Sequence, residues 1–138
     1  MNLLYNMVLN VIIGVSITWL VLFGMAYANE ISHNPQIVGV WELVLADGVP
    51  PGEHEDEAYN IFQGTIDTFF ADGTGTSFTP GFEFELAAFN WWTRGDNLTI
   101  SFIDFNQRWT VLFQVDEERL ITTGMGEYST DWVWIRID

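Results

Sequence analysis

The chain has no cysteine and no lysine, and it carries only four arginines against 19 acidic residues. Without thiols there is no disulfide, no thiolate nucleophile and no cysteine-ligated metal. Small exported domains often lean on disulfides. This one must hold together by apolar packing and a complete hydrogen-bond ladder. The shortage of positive charge leaves a net charge of −15. Such a surface repels phosphate backbones and anionic headgroups, which argues against nucleic-acid binding and against polybasic docking on a membrane. Neutral, apolar or cationic partners are favoured, and the same charge also serves solubility. Histidine is scarce too, with two in the chain. No Gly-x-Ser-x-Gly elbow exists, and none of Ser32, Ser77, Ser101 and Ser129 stands in a His-containing motif. The expectation is a protein that is not an enzyme, with no catalytic residue, no cofactor and no metal.

Charge is missing altogether from the first 29 residues, so the whole charge lies on the remainder. Met7 to Met25 is an apolar run interrupted only by Asn10, Gly14, Ser16, Thr18 and Gly24, and Ala26-Tyr27-Ala28 follows it. Small side chains at those two alanine positions fit a signal-peptidase site, with cleavage after Ala28. The run is also long enough to span a bilayer, and no Lys or Arg precedes it. Residues 1–28 are therefore read as a signal peptide, with a retained membrane anchor as the alternative. Either way the acidic domain is expected outside the cytoplasm, secreted or periplasmic, touching a membrane only through an uncleaved N-terminal segment. Residues 29–36 read as a linker that includes His33, and residues 37–138 as the folded domain.

What the folded part has in abundance is aromatic residues, 18 of them after position 28. Each buried ring removes roughly 150–250 Å² from water, enough for a real core in a short chain. From Ile37 onward the apolar period is two. Trp41, Leu43 and Leu45 alternate with Val40, Glu42 and Val44. Pro50-Pro51-Gly52 and the acidic run Glu53-His54-Glu55-Asp56-Glu57 read as a solvated loop, because the spacing matches no EF-hand. Tyr59 to Ala71 reads as a strand with Phe62, Ile66 and Phe70 on the core face and Gln63, Thr65 and Asp67 facing out. Asp72-Gly73 is a hairpin turn. Gly75–Thr79, Phe82–Arg94, Leu98–Asp104, Arg108–Val115, Arg119–Gly124 and Asp131–Ile137 read as further strands, with a short helix over Glu83–Phe89 as a rival. Tight turns imply antiparallel neighbours, and a meander of about eight strands must stack as a sandwich or close as a barrel. Closure removes exposed edges. The fold expected is all-β, an antiparallel up-and-down barrel.

Gly39-Val40-Trp41 opens the first strand and Arg136 lies in the last. This pairing resembles the lipocalin (calycin) pattern, in which a G-x-W places its Trp at the closed end and an Arg from the last strand packs across the ring. Phe69-Phe70-Ala71-Asp72-Gly73-Thr74-Gly75, then Phe89-x-Trp91, then Gly95-x-Asn97-Leu98-Thr99-Ile100, is similar to small bacterial lipocalin-like domains. The resemblance spans Ile37 to Ile137. It implies a barrel closed by Trp41 and Arg136, and a small hydrophobic ligand held inside, with Phe62, Ile66, Trp91, Phe102, Trp109 and Phe113 lining the cavity. Trp92, Trp132 and Trp134 are further candidates. An eight-stranded interior is just wide enough to be filled by side chains or to hold one small ligand. The alternative is therefore a packed, acidic barrel that acts as a protein-interaction or structural module. A monomer is expected in both cases.

Overall fold

The computed structural model describes residues 30–50, 53, 60, 62, 64–81, 85–124 and 131–138. The signal or anchor segment with its cleavage position, and most of the acidic run after Glu53, lie outside the described residues. No helix among those described is long and apolar enough to cross a membrane. The strands are β1 (Gly39–Ala46), β2 (Ile66–Phe69), β3 (Thr74–Phe78), β4 (Leu86–Arg94), β5 (Asn97–Phe102), β6 (Arg108–Val115), β7 (Arg119–Thr123) and β8 (Asp131–Arg136). Each pairs antiparallel with the next, and β8 returns to β1, so the sheet is a closed barrel rather than a sandwich. The segment for which a short helix was the rival reading is strand from Leu86 onward.

Alternation drives the closure. On β4, Ala87, Phe89, Trp91 and Thr93 are buried while Leu86, Asn90 and Arg94 are exposed. Inward rings and aliphatics from all around the barrel meet in one core: Trp41 and Leu43, Phe69, Phe89 and Trp91, Leu98 and Ile100, Val111, Leu120, Trp132 and Trp134. Phe69 packs on Phe89 and Trp91 with ring centroids 5.2 and 5.4 Å apart, tilted and edge-on, the arrangement aromatic quadrupoles favour.

Two strands depart from the sequence reading. The β1–β8 register shifts between Leu43 and Leu45. This bulge changes the phase of the strand, so Ala46 is buried and Leu45, expected beside Trp41 and Leu43, is only half-buried. On β2 the expected phase is inverted. Thr65, Asp67 and Phe69 are buried; Ile66 is half-buried and Phe70 exposed. Gly64, with φ of +75°, separates Phe62 from the strand, so Phe62 does not share its alternation. Of the two adjacent phenylalanines, Phe69 takes the core, and this carries Asp67 inward with it.

Residues 31–37, expected for the most part as linker, are tied to the barrel. Ser32 exchanges backbone hydrogen bonds of 2.9 and 2.6 Å with Thr93 on β4. The His33 ring lies edge-on to Trp91 at 5.1 Å. Three residues on, the Gln36 carbonyl is held by Arg136 of β8. In an eight-stranded ring β4 and β8 stand on opposite sides, so this stretch spans one end of the barrel as a strap.

Candidate functional site

The strapped end is sealed. The Arg136 guanidinium lies 4.3 Å from the Trp41 ring centroid. It donates from Nη1 to the Val38 carbonyl at 2.8 Å, from Nη2 to that of Gln36 at 2.8 Å, and from Nε to that of Glu117 at 2.9 Å. The Trp41 indole donates to the Ile37 carbonyl at 2.8 Å and is fully buried. Gly39 has φ of +145°, and a Cβ there would collide with Arg136 Nη1. The glycine of G-x-W is thus required by the arginine that crosses it. Each guanidinium nitrogen and the indole nitrogen is spent on a main-chain carbonyl, so the pair closes the barrel rather than offering a place for a ligand.

The opposite end is hollow. β1, β3, β5 and β7 end there, and β2, β4, β6 and β8 begin there. A cavity of about 340 Å³ enters the barrel between these strand ends. Its wall is mainly rings: Phe62, Phe102, Phe105, Trp109, Trp132 and Trp134, with Ile100 and Ala87. The polar members are Thr65, Asp67, Ser77, Thr79 and Gln107. Gln107 is exposed and Phe105 half-exposed, so the cavity reaches solvent on this side. The rings are fixed by one another. Phe62 meets Trp132 edge-on at 4.8 Å, and Phe102 meets Trp109 at 5.0 Å and stacks on Phe105 at 4.8 Å. The Trp134 indole donates to Thr122 Oγ1 at 3.2 Å, which sets its plane. Thr65, just before β2, and Thr79, just after β3, join through their hydroxyls at 2.9 Å.

Among the described residues, one ionisable group stands in this wall. Asp67 is only 6% exposed. Its carboxyl is held by the Ser77 hydroxyl, its cross-strand neighbour, while Oδ1 has no hydrogen-bond partner. Burial pushes its pKa from 3.8 up to about 7, against the downward pull of the Ser77 hydrogen bond. A buried polar atom without a partner is uncommon in folded proteins and calls for an explanation. Among the described residues no arginine lines the cavity to neutralise the carboxylate. No group of three or more metal-binding side chains occurs among the described residues either.

The residues expected to line a cavity divide. Phe62, Phe102 and Trp109 line it. Trp91 lies below its floor, fully buried, with its indole hydrogen-bonded at 3.0 Å to both the Phe70 and the Thr74 carbonyls. Phe113 packs against the core further toward the sealed end, because β6 runs from the mouth at Arg108 to the plug at Val115. Ile66 is on the outer face because the phase of β2 is inverted. Trp132 and Trp134 line the cavity, whereas Trp92 points outward beneath the Arg108 guanidinium, 5.4 Å from its ring centroid. Asp67 is the functional candidate that the sequence reading placed outside. The adjacent Phe69 and Phe70 leave strand parity undetermined by hydropathy, and only the packing of Phe69 against Phe89 and Trp91 settles it.

Comparison with known proteins places the fold alone. No family model matches the chain, and no curated protein matches it. The chain is similar to a crystal structure of a DUF4847 family protein from Bacteroides vulgatus, with a TM-score of 0.51 and 18% identity, over 75% of this chain and 97% of that one. The eight-stranded antiparallel barrel is consistent with a calycin-like architecture.

Proposed function

We propose that the chain is an exported, lipocalin-like binding module that takes a small, largely apolar molecule into the open end of its barrel. The observation that carries this reading is the ring-walled cavity of about 340 Å³ above a filled lower core. Ligand pockets are typically concave, mainly apolar, carry a few placed polar groups and span about 300–1,000 Å³, so this one lies at the small end. A packed interaction module would have no reason to keep Trp109, Trp132 and Trp134 around an open cavity, since rings left beside solvent forgo the stabilisation of burial. Export is supported by the uncharged N-terminal run and the Ala26-Tyr27-Ala28 pattern.

Three tryptophans in the wall make binding visible. Titration with a neutral hydrophobic dye such as N-phenyl-1-naphthylamine should quench tryptophan emission and enhance dye emission, with saturation at one site. Ala87→Phe fills the cavity from β4, and it should abolish both signals while far-UV circular dichroism keeps the barrel spectrum. Saturable binding that survives Ala87→Phe, or no binding of any apolar probe to the wild-type chain, would overturn the reading.

A further inference from the structure

We propose that the cavity selects a ligand with a single cationic nitrogen, a primary or secondary amine on a compact apolar body, and that Asp67 is its counter-ion. This rests on the binding reading above and names the ligand class of the same site. Four observations converge. Asp67 is more than nine-tenths buried and lines the cavity, and its Oδ1 is without a partner. Ser77 holds the carboxyl on one side and so orients it, but leaves it an acceptor to spare. No positive side chain among the described residues shares the cavity. Arg136 is at the sealed end, Arg108 lies over Trp92 on the outer face, Arg119 pairs with Asp116, and Arg94 is exposed where β4 ends. The remaining wall is aromatic, and indole faces attract a cation as well as an apolar body.

Other ligand classes suit this wall less well. A carboxylic acid ligand would set two like charges in one low-dielectric pocket, which costs both. A purely apolar ligand would leave the buried Oδ1 with nothing to satisfy it. An ammonium supplies donors and neutralises the charge at the same time, a charge-assisted bond roughly twice as strong as a neutral one. The net charge of −15 raises the local concentration of cations over anions at the surface. That field is general, however, while the Asp67 contact is local, and the two can be separated by experiment.

The strands flanking Asp67 present Trp41 and Leu43 from β1 and Ser77 from β3, and among the described residues no second titratable side chain lines the cavity. Binding of an ammonium therefore requires Asp67 ionised and is lost as the carboxyl takes up its proton. The test is calorimetric titration in 150 mM salt with three probes of one shape: 2-phenylethylamine, 2-phenylethanol and 3-phenylpropionate. The amine should bind at least about tenfold tighter than the alcohol at pH 8, and the acid weakest. Amine affinity should fall from pH 8 to pH 5.5 toward that of the alcohol, by up to roughly 30-fold for a carboxyl that ionises near 7, while that of the alcohol stays level. In Asp67→Asn the amine-to-alcohol ratio should collapse to near one; a general field would preserve it, since one charge in fifteen is removed. Equal binding of amine and alcohol in the wild type, or a ratio that survives Asp67→Asn, would overturn the assignment and leave the binding module intact. Failure of all three probes and of the neutral dye would remove both. If Asp67→Asn does not fold, the pH profile of the wild-type chain decides.

Discussion

Replacing Asp67 by Asn should stabilise the protein at pH 8 and do little at pH 4. In the unfolded chain the carboxyl ionises near 3.8, but in the barrel only near 7. Between those values the native state holds a proton that the unfolded state has released. Stability from this group is thus fully present below about pH 4, falls as pH rises, and levels off above about pH 7. Each pKa unit corresponds to about 1.4 kcal/mol, so the full loss approaches ~4 kcal/mol, and water entering the cavity mouth could halve that. Asn keeps the shape and a polar partner for Ser77 but cannot ionise. The difference in unfolding free energy between variant and wild type should therefore grow by about 2–4 kcal/mol from pH 4 to pH 8. For a domain of this size that is at least about 10 °C in Tm. Urea unfolding at half-unit pH steps, followed by tryptophan emission, reads the difference directly and cancels the contribution of the other acidic residues. Parallel stability curves, or a variant weaker than wild type at pH 8, would refute the inference that Asp67 is buried in its charged form without a partner.

Other substitutions probe the plug and the floor. Arg136→Met should cost roughly 3 kcal/mol in urea unfolding, since its part-buried charged hydrogen bond to the Val38 carbonyl contributes about 1.5–3 kcal/mol and the stacked cation a further 0.5–2, while its two solvent-exposed bonds add little. Arg136→Lys should recover little of it, because an ammonium cannot reach the carbonyls of Gln36, Val38 and Glu117 from one position over Trp41. Gly75→Ala should destabilise by about 1–3 kcal/mol, as its Cβ would press into the Phe89 ring and lie 2.6 Å from the Thr68 carbonyl. Pairing it with Phe89→Leu should recover part of the loss in a double-mutant cycle.

The barrel is legible in the sequence wherever alternation is bounded by unambiguous turns. Arg108–Val115 is such a case: Trp109, Val111, Phe113 and Val115 alternate with more exposed neighbours, and Asp116-Glu117-Glu118 ends the run. There Asp116 accepts from the backbone N–H groups of Glu118 and Arg119, at 2.9 and 2.7 Å, and these bonds hold its pKa below the usual range. Asp72 makes the same kind of turn with Thr74. Side-chain orientation is less legible where hydropathy gives two answers. On β2 adjacent phenylalanines offer both parities, and a bulge on β1 flips one that began correctly. The depth of a residue along the barrel is not in the period at all. Trp91 and Trp109 are both inward, yet one lies under the floor and the other in the wall, because β4 and β6 deliver them at different heights.

That difference in height explains how a chain without cysteine can carry a hollow site. The lower half concentrates the means of stability: the strap from Ser32 to Val38, the Arg136 plug and the close packing of Phe69, Phe89 and Trp91. The upper half then tolerates an unfilled volume and an unpartnered carboxyl, each of which works against folding. Such a division is what a binding function requires, since groups that await a ligand cannot also be satisfied by the protein. If Asp67 waits for a cation, ligand and stability are linked. An amine that binds the folded, ionised form best should raise Tm by an amount that increases from pH 5.5 to pH 8, and in Asp67→Asn that rise should lose its pH dependence and fall to that of the alcohol. The pH at which the ligand helps most is then the pH at which Asp67 most weakens the empty barrel.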